Sequence, residues 1–265
     1  EGGINFFDTA NAYTDSEEKI GLALSSVRKN IFLATKTGSS TPDQFWKHLE
    51  LSLTRMKTDY IDIYWIHNPA DVERWTPFLA PLVKSGKVRR VGVSNHNLSQ
   101  IKRAQEILAQ GGVTLSAVQN HYSLLYRSSE RAGILDYCRE QGMDFFAYMV
   151  LEQGALSGKY DTAHPLPQGS QRAETYNSLL PQLEKLTAAV AQMGEKYSAS
   201  VSQIAIAWAI AKGAIPLIGV TKPRHVTEAA AAAGITLTVD EVVQLEQLAA
   251  DAGVDTRGSW EAPMV

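Results

Sequence analysis

The chain has 265 residues, 45% of them apolar, with 25 Lys and Arg against 28 Asp and Glu, for a formal net charge of −3. That size fits one large α/β domain or two small ones with a sizeable core; mixed charges give no basic stripe for nucleic acid and no polybasic run for a membrane surface. No apolar stretch approaches the roughly 20 residues needed to span a bilayer, and the one cysteine, Cys138, excludes an internal disulfide and fits a reducing, cytoplasmic setting.

Glu1-Gly2-Gly3 carries no targeting signal and runs straight into an apolar, strand-like segment, Ile4–Phe7, so the sequence reads as opening in mid-fold. Ile31–Ala34 is the next strand. Thr41-Pro42-Asp43-Gln44 then has a capping-box pattern with proline at the first helical position, and Phe45, Leu49, Leu53 and Met56 follow at helical spacing. Ile61–Ile66 and Val88–Val93 are strands, and Asn97 caps a helix carrying Ile101, Ala104 and Leu108. Ala117–Gln119 and Phe145–Tyr148 are strands again. From Gln153 to Ser178 comes the longest irregular stretch, rich in Gly, Pro and Ser, of the kind that is usually functional or disordered. Ser200 opens a helix with Ile204, Ala207 and Trp208; Ile215–Ile218 is the seventh strand; Thr238 opens a last helix with Val242, Leu245 and Leu248, ending before Gly253. Apolar strands without alternation are covered on both faces, and their regular alternation with helices predicts a parallel sheet. Even spacing without a linker favours one barrel domain over residues 1–265.

Neither G-x-G-x-x-G nor G-x-x-x-x-G-K-[ST] occurs, so the two common phosphate loops are absent. In a (β/α) barrel the active site lies at the C-terminal ends of the strands. There the sequence offers Asp8 and Tyr13, then Lys36, His67, Ser94-Asn95-His96, Gln119-Asn120-His121, Tyr148 and Gly219-Val220-Thr221-Lys222. Asp8, Tyr13, Lys36 and His67 form a coherent set for carbonyl reduction, which needs a hydride on carbon and a proton on oxygen. A free tyrosine has a pKa near 10, a neighbouring ammonium lowers it, an aspartate holds the ammonium, and a histidine can orient the substrate oxygen. Taken singly, each is an ordinary ion pair or packing residue. His96 and His121 are expected to bond loop backbone, and Cys138, beside Leu135, to be buried and inert.

Taken in order, Ile4-Asn5-Phe6-Phe7-Asp8-Thr9-Ala10 with Tyr13, Ala34-Thr35-Lys36, Asp59-Tyr60-Ile61-Asp62-Ile63-Tyr64 with Ile66-His67, Gly86-Lys87-Val88-Arg89 with Gly92-Val93-Ser94-Asn95, Val118-Gln119-Asn120 and Gly154-Ala155-Leu156-Ser157-Gly158-Lys159-Tyr160 resemble the aldo-keto reductase family along essentially the whole chain. The resemblance implies a (β/α)8 TIM barrel, here lacking the first β/α unit, and NADPH-dependent reduction of aldehydes or ketones, NADH being possible. It implies Tyr13 as general acid, Lys36 as its pKa-lowering partner, Asp8 as support for Lys36, and His67 as ligand of the substrate oxygen. Ser94, Asn95 and Gln119 would hold the nicotinamide carboxamide and Tyr148 would stack on its ring. Leu151, Gln153 and Gly154, then Gly219, Thr221, Lys222, His225 and Glu228, would hold the pyrophosphate and adenosine, with Lys222, Arg224 and His225 near a 2′-phosphate. The sequence departs from the family pattern at Met149-Val150, at His225 and at Ala229. Trp260 in the tail is either a lid over the substrate or a surface anchor. The partner expected is a small carbonyl compound. Two other readings use the same residues: a non-catalytic nicotinamide-binding protein, since fold alone does not prove turnover, and a metal-dependent barrel hydrolase built on His67, His96, His121 and Asp8, against which no His-x-His pair occurs on a strand.

Overall fold

The structure, a computed structural model, describes residues 2–38 and 41–264. The chain groups into two compact units. One is made of Asn5–Asn120 and Ala132–Asp144 with residues 262–264, and the other of His121–Arg131 and Phe145–Glu261 with residues 2–4.

The first unit holds five strands, β1 (Phe6–Asp8), β2 (Phe32–Thr37), β3 (Ile61–Ile66), β4 (Val88–Ser94) and β5 (Leu115–His121), whose last residue begins the second unit. They pair in parallel in chain order, with Asp8 opposite Ala34, Lys36 opposite Trp65, Ile66 opposite Val93 and Ser94 opposite Gln119. Every residue of β3 is buried, five of the six as an apolar strand covered on both faces requires and Asp62 through its pairs with Arg28 and Arg89. The expected helices are present. Pro42–Met56 buries Phe45, Leu49, Leu53 and Met56, with Thr41 accepting from the Gln44 amide. Leu98–Gln110 has a full capping box between Asn97 and Gln100 and buries Ile101, Ala104 and Leu108. Cys138 is buried, which pushes its thiol up to about 12, so it stays protonated and inert.

The second unit contains the parallel pair β6 (Asp144–Tyr148), whose first residue ends a segment of the first unit, and β7 (Ile215–Pro216), with Phe146 opposite Ile215. Helices Val201–Ala211 and Val239–Asp251 each start with a capping box, on Ser200 and on Thr238. Trp208 stacks on Tyr122 at 5.1 Å and donates to Glu246, which also pairs with Arg127 and Lys212. The stretch expected to be irregular is partly helical, over Glu152–Ser157 and Gln171–Tyr176. It is pinned by a core of its own, in which Leu166 and Tyr176 are wholly buried against Leu180 and Leu183. Four strands differ from expectation by two residues or more at an end. Ile4 is half exposed and only Phe6–Asp8 pairs, β2 runs on to Thr37, β5 extends from Leu115 to His121, and β7 shrinks to two residues.

Candidate active site

The C-terminal ends of β2, β4 and β5 turn polar while staying buried, through Thr35-Lys36-Thr37, Ser94-Asn95-His96 and Gln119-Asn120-His121. Polar groups taken out of water must be paired, and their partners define a cluster in the first unit.

Lys36 is its centre. Its side chain is 2% exposed, and its ammonium is paired with Asp8 Oδ2 and donates to the Thr9 carbonyl at 2.8 Å. Asp8 Oδ1 accepts from Trp65 Nε1 at 3.1 Å and Gln119 Nε2 at 3.2 Å. Burial raises the Asp8 carboxyl above the ordinary carboxylate range, against the opposing pull of Lys36. Trp65 reaches Asp8 because Gly92 stands beside it: a Cβ there would lie 2.3 Å from the indole.

Tyr13 lies on the turn after β1, 46% exposed. Its hydroxyl is 3.4 Å from His67 Nε2, and the Lys36 ammonium lies 5.4 Å from its ring centre. The expected lowering of the phenol by Lys36 is not what the structure gives. Desolvation, then the Asp8 charge, push Tyr13 up to about 12, because the ammonium is engaged with Asp8 and the Thr9 carbonyl. Desolvation and then Lys36 push His67 down to about 4, so its ring is neutral at physiological pH.

Two residues that the sequence reading passed over hold the Tyr13 turn. Glu17, 1% exposed, accepts from Thr35 Oγ1 at 2.7 Å and from Arg55 Nη1 at 3.2 Å, and Arg55 Nη1 also reaches the Asn11 carbonyl at 3.4 Å. Glu17 is in the first helical turn after Tyr13, where an acidic side chain passes for a dipole partner. Gln119 and Ser94 are buried here too. Asn95, at φ 62, donates through Nδ2 to the His67 carbonyl and to Asn68 Oδ1, both at 3.0 Å. His96 Nδ1 meets the Ser94 carbonyl at 2.7 Å, the backbone bond expected of it.

The remaining site candidates lie in the second unit. Tyr148 ends β6 and stacks on His121 at 5.6 Å. The turn beyond it holds Leu151, Gln153 and Gly154. Met149, Glu152 and Gln153 have left-handed φ of 57, 46 and 52, a conformation costing about 1–3 kcal/mol per non-glycine residue. The Gln153 carbonyl accepts from Arg172 at 3.1 Å. Gly219 and Thr221 are exposed, and a Cβ on Gly219 would meet nothing within 4 Å. Lys222 is the N-cap of helix Pro223–Ala232 with no side-chain capping bond, and His225 Nδ1 lies 3.4 Å from the Thr221 amide. Glu228 offers its carbonyl to Gln203 at 3.2 Å.

His121 departs from its expected role. It is wholly buried and meets two carboxylates rather than loop backbone, Glu152 at 2.9 Å and Glu261 at 2.8 Å. Neither glutamate was singled out from sequence, where nothing local marks them. Trp260 donates through Nε1 to the Tyr148 hydroxyl at 3.3 Å. Among the described residues no three His, Cys, Asp or Glu side chains are grouped to hold a metal ion. Among the same residues no helix is long and apolar enough to cross a membrane.

The family model described as "Aldo/keto reductase family" matches residues 1–250. The chloroplastic pyridoxal reductase of Arabidopsis thaliana is 33% identical over 94% of this chain and 74% of its own length. A glycerol dehydrogenase from Gluconobacter oxydans superposes with a TM-score of 0.85 at 28% identity, over 94% of this chain and 82% of that one. An aldo-keto reductase from Klebsiella pneumoniae, solved with NADPH, gives 0.76 at 27% identity, over 93% and 80%. With parallel strands alternating with helices and a family match over most of its length, this chain belongs to the aldo/keto reductase family.

Proposed function

We propose that this chain reduces aldehydes or ketones to alcohols with NADPH as the preferred reductant and NADH as the alternative, and that Tyr13 gives the proton. The observation that carries the reading is the Tyr13 hydroxyl set 3.4 Å from a neutral His67 and beside a buried Lys36–Asp8 pair.

The residues present fit a nicotinamide dinucleotide. A carboxamide both donates and accepts, and the Ser94 hydroxyl with the Asn95 and Gln119 amides can answer both halves. Tyr148 offers a ring face. Gly154, at φ 107, allows the turn after it, and Gly219 leaves open space for close approach of a bulky group. The uncapped start of helix Pro223–Ala232, with Lys222, Arg224 and His225 around it, suits an anion, and a 2′-phosphate is the one that distinguishes NADPH. A bound reduced nicotinamide supplies the hydride for the carbonyl carbon.

The chain supplies everything else. His67, neutral above about pH 4, donates a hydrogen bond that places the substrate oxygen. Tyr13, protonated below about pH 12, transfers its hydroxyl proton to that oxygen as negative charge builds there, and regains one from solvent through its exposed side. The Lys36 charge, fixed by Asp8, offsets part of the cost that burial and the Asp8 charge place on the phenolate left behind.

Mixing the purified chain with NADPH or NADH and an aromatic aldehyde, and following reduced-nicotinamide absorbance beside Tyr13→Phe, tests this. Turnover faster with NADPH and reduced by about 10²- to 10⁴-fold in Tyr13→Phe is the expected result. Equal turnover in Tyr13→Phe removes Tyr13 from the role of proton donor. No turnover in the parent chain with either nucleotide, although both bind, leaves the non-catalytic reading.

A further inference from the structure

The cluster around His121 is absent from the chemistry above, yet it is the most heavily paired buried polar group in the second unit. Both ring nitrogens face carboxylate oxygens, Nε2 to Glu152 and Nδ1 to Glu261. A neutral imidazole has one N–H, so satisfying both carboxylates requires the imidazolium. The two glutamates are not equivalent. Glu152 Oε1 also accepts from Ser123 and from Thr256 at 3.1 Å, and its Oε2 accepts from Tyr176 at 2.7 Å. Glu261 Oε1 accepts, besides His121, from the Gly258 amide at 3.3 Å, and the Tyr126 hydroxyl faces the same carboxylate. Glu152 therefore keeps three hydroxyl donors if the imidazole loses its charge, and Glu261 keeps fewer.

What Glu261 fastens is the tail. Thr256, Gly258 and Glu261 are tied into this cluster, and Trp260 between them donates to the Tyr148 hydroxyl. Tyr148 stacks on His121 from one strand, and Tyr126 stacks on it at 4.3 Å from the segment after β5. We infer that His121 is a positioning residue: held between Glu152 and Glu261, it latches residues 256–261 to the Glu152 turn and so fixes Tyr148, bridged by Trp260, in the orientation the cofactor ring needs. The last step rests on the reading of Tyr148 given under the proposed function; the latch itself does not.

The latch depends on charge. Burial pulls the His121 imidazole down, but the bonds and charges of Glu152 and Glu261 outweigh it and hold it up at about 9. The other groups facing the cluster are the hydroxyls of Ser123, Tyr126, Tyr148, Tyr176 and Thr256, with exposed Arg257 on the tail. Above about pH 9 one ring nitrogen presents a lone pair to a carboxylate, and the Glu261 side, with the fewest other bonds, opens.

Hydrogen exchange read by mass spectrometry on the whole chain tests this, with rates corrected for the intrinsic effect of pH. Amides of residues 256–261 are expected to lose protection by about tenfold or more between pH 7 and pH 10. Glu261→Gln, which keeps the shape and removes the charge, is expected to show that loss already at pH 7 and no further step. Wild-type protection unchanged across that range, or Glu261→Gln as protected as wild type at pH 7, overturns the latch. In the same variant the KM for NADPH should rise about fivefold or more, by a larger factor than kcat changes. A loosened tail with an unchanged KM overturns the positioning of Tyr148 alone. If the parent chain reduces nothing, the exchange readout still decides the latch.

Discussion

His67 and His121 both follow or end a strand, and their rings shift in opposite directions. His67, in the first unit, has no carboxylate on its ring and sits beside the Lys36 charge, so desolvation and like charge depress it to about 4. His121, in the second, is more deeply buried yet is raised to about 9 by two glutamates. Burial alone lowers a histidine; the neighbours' charges decide the outcome. The first arrangement leaves a neutral ring beside a hydroxyl that carries a transferable proton, which suits chemistry. The second uses every ring proton on structure. Depth of burial is thus a poor guide to which buried histidine does chemistry, and the company each keeps is a good one.

The sharpest way to break the comparison is to remove the charge that serves the first cluster. Lys36→Met leaves Asp8 buried with Trp65 and Gln119 as its remaining donors, and breaking such a pair costs about 3 kcal/mol of stability. The raised Asp8 carboxyl limits the loss by taking up a proton. Reductase turnover is expected to fall about 10²- to 10³-fold as the phenolate loses its stabilising charge. Urea unfolding and nicotinamide absorbance read the two effects. As a control, Lys87→Met breaks an exposed pair with Glu50 and should change stability by less than about 1 kcal/mol. If Lys36→Met also changes stability that little, the buried pair does not organise the cluster.

The two histidines also predict the pH dependence of stability, with opposite signs. The folded pKa of His121 is raised above the unfolded value near 6.5. Its contribution is therefore complete below pH 6.5 and lost as pH rises through about 9, a span worth about 3 kcal/mol. His67 is depressed, so the unfolded chain takes up its proton first; its contribution holds above about pH 6.5 and is lost as pH falls through about 4. That ring is partly exposed, which makes its limb the shallower, on the order of 1 kcal/mol. Melting temperature against pH should therefore fall on both sides of about 6.5. His121→Gln should flatten the alkaline limb alone, and His67→Gln should flatten part of the acid limb alone. An alkaline limb that survives in His121→Gln assigns it to another group.

Much of this was legible in the sequence because it is local. Ile61–Ile66 reads as a buried strand from a run that is apolar apart from Asp62, and Asn97, Ser200 and Thr238 announce their helices through residues three positions apart. The four candidate chemical residues could be named because parallel strands bring their ends to one side, although Tyr13 and His67 are 54 residues apart. The His121 cluster had no such cue. Glu261 lies 140 residues from its partner, in a tail without periodicity, and Glu152 sits in a turn whose left-handed backbone is carried by residues other than glycine. The segment taken as irregular hid a small core: Ala173, Tyr176, Leu180 and Leu183 stand at helical spacing, but the Gly, Pro and Ser of the stretch before them gave Leu166 no local pattern to join. The direction of the Tyr13 shift was missed for a related reason: sequence shows that a lysine is near, not which atoms its ammonium already holds.

The smallest expected effect separates local from distant roles most cleanly. Asn97 and Ser200 cap their helices with the same reciprocal box to a glutamine three residues on, one in each unit. Asn97→Ala and Ser200→Ala should each cost about 1 kcal/mol in urea unfolding, since each leaves one helix-start amide without its acceptor. Only Asn97 adjoins the candidate site. It follows Asn95, whose left-handed backbone at φ 62 and bonds to Asn68 and the His67 carbonyl fix the end of β4. Loosening that helix start should raise the KM for NADPH about two- to threefold in Asn97→Ala, while Ser200→Ala at equal stability loss leaves it unchanged. Equal KM values in the two variants would mean that the Asn95 turn holds its shape through its own bonds, and that the cap contributes stability and nothing more.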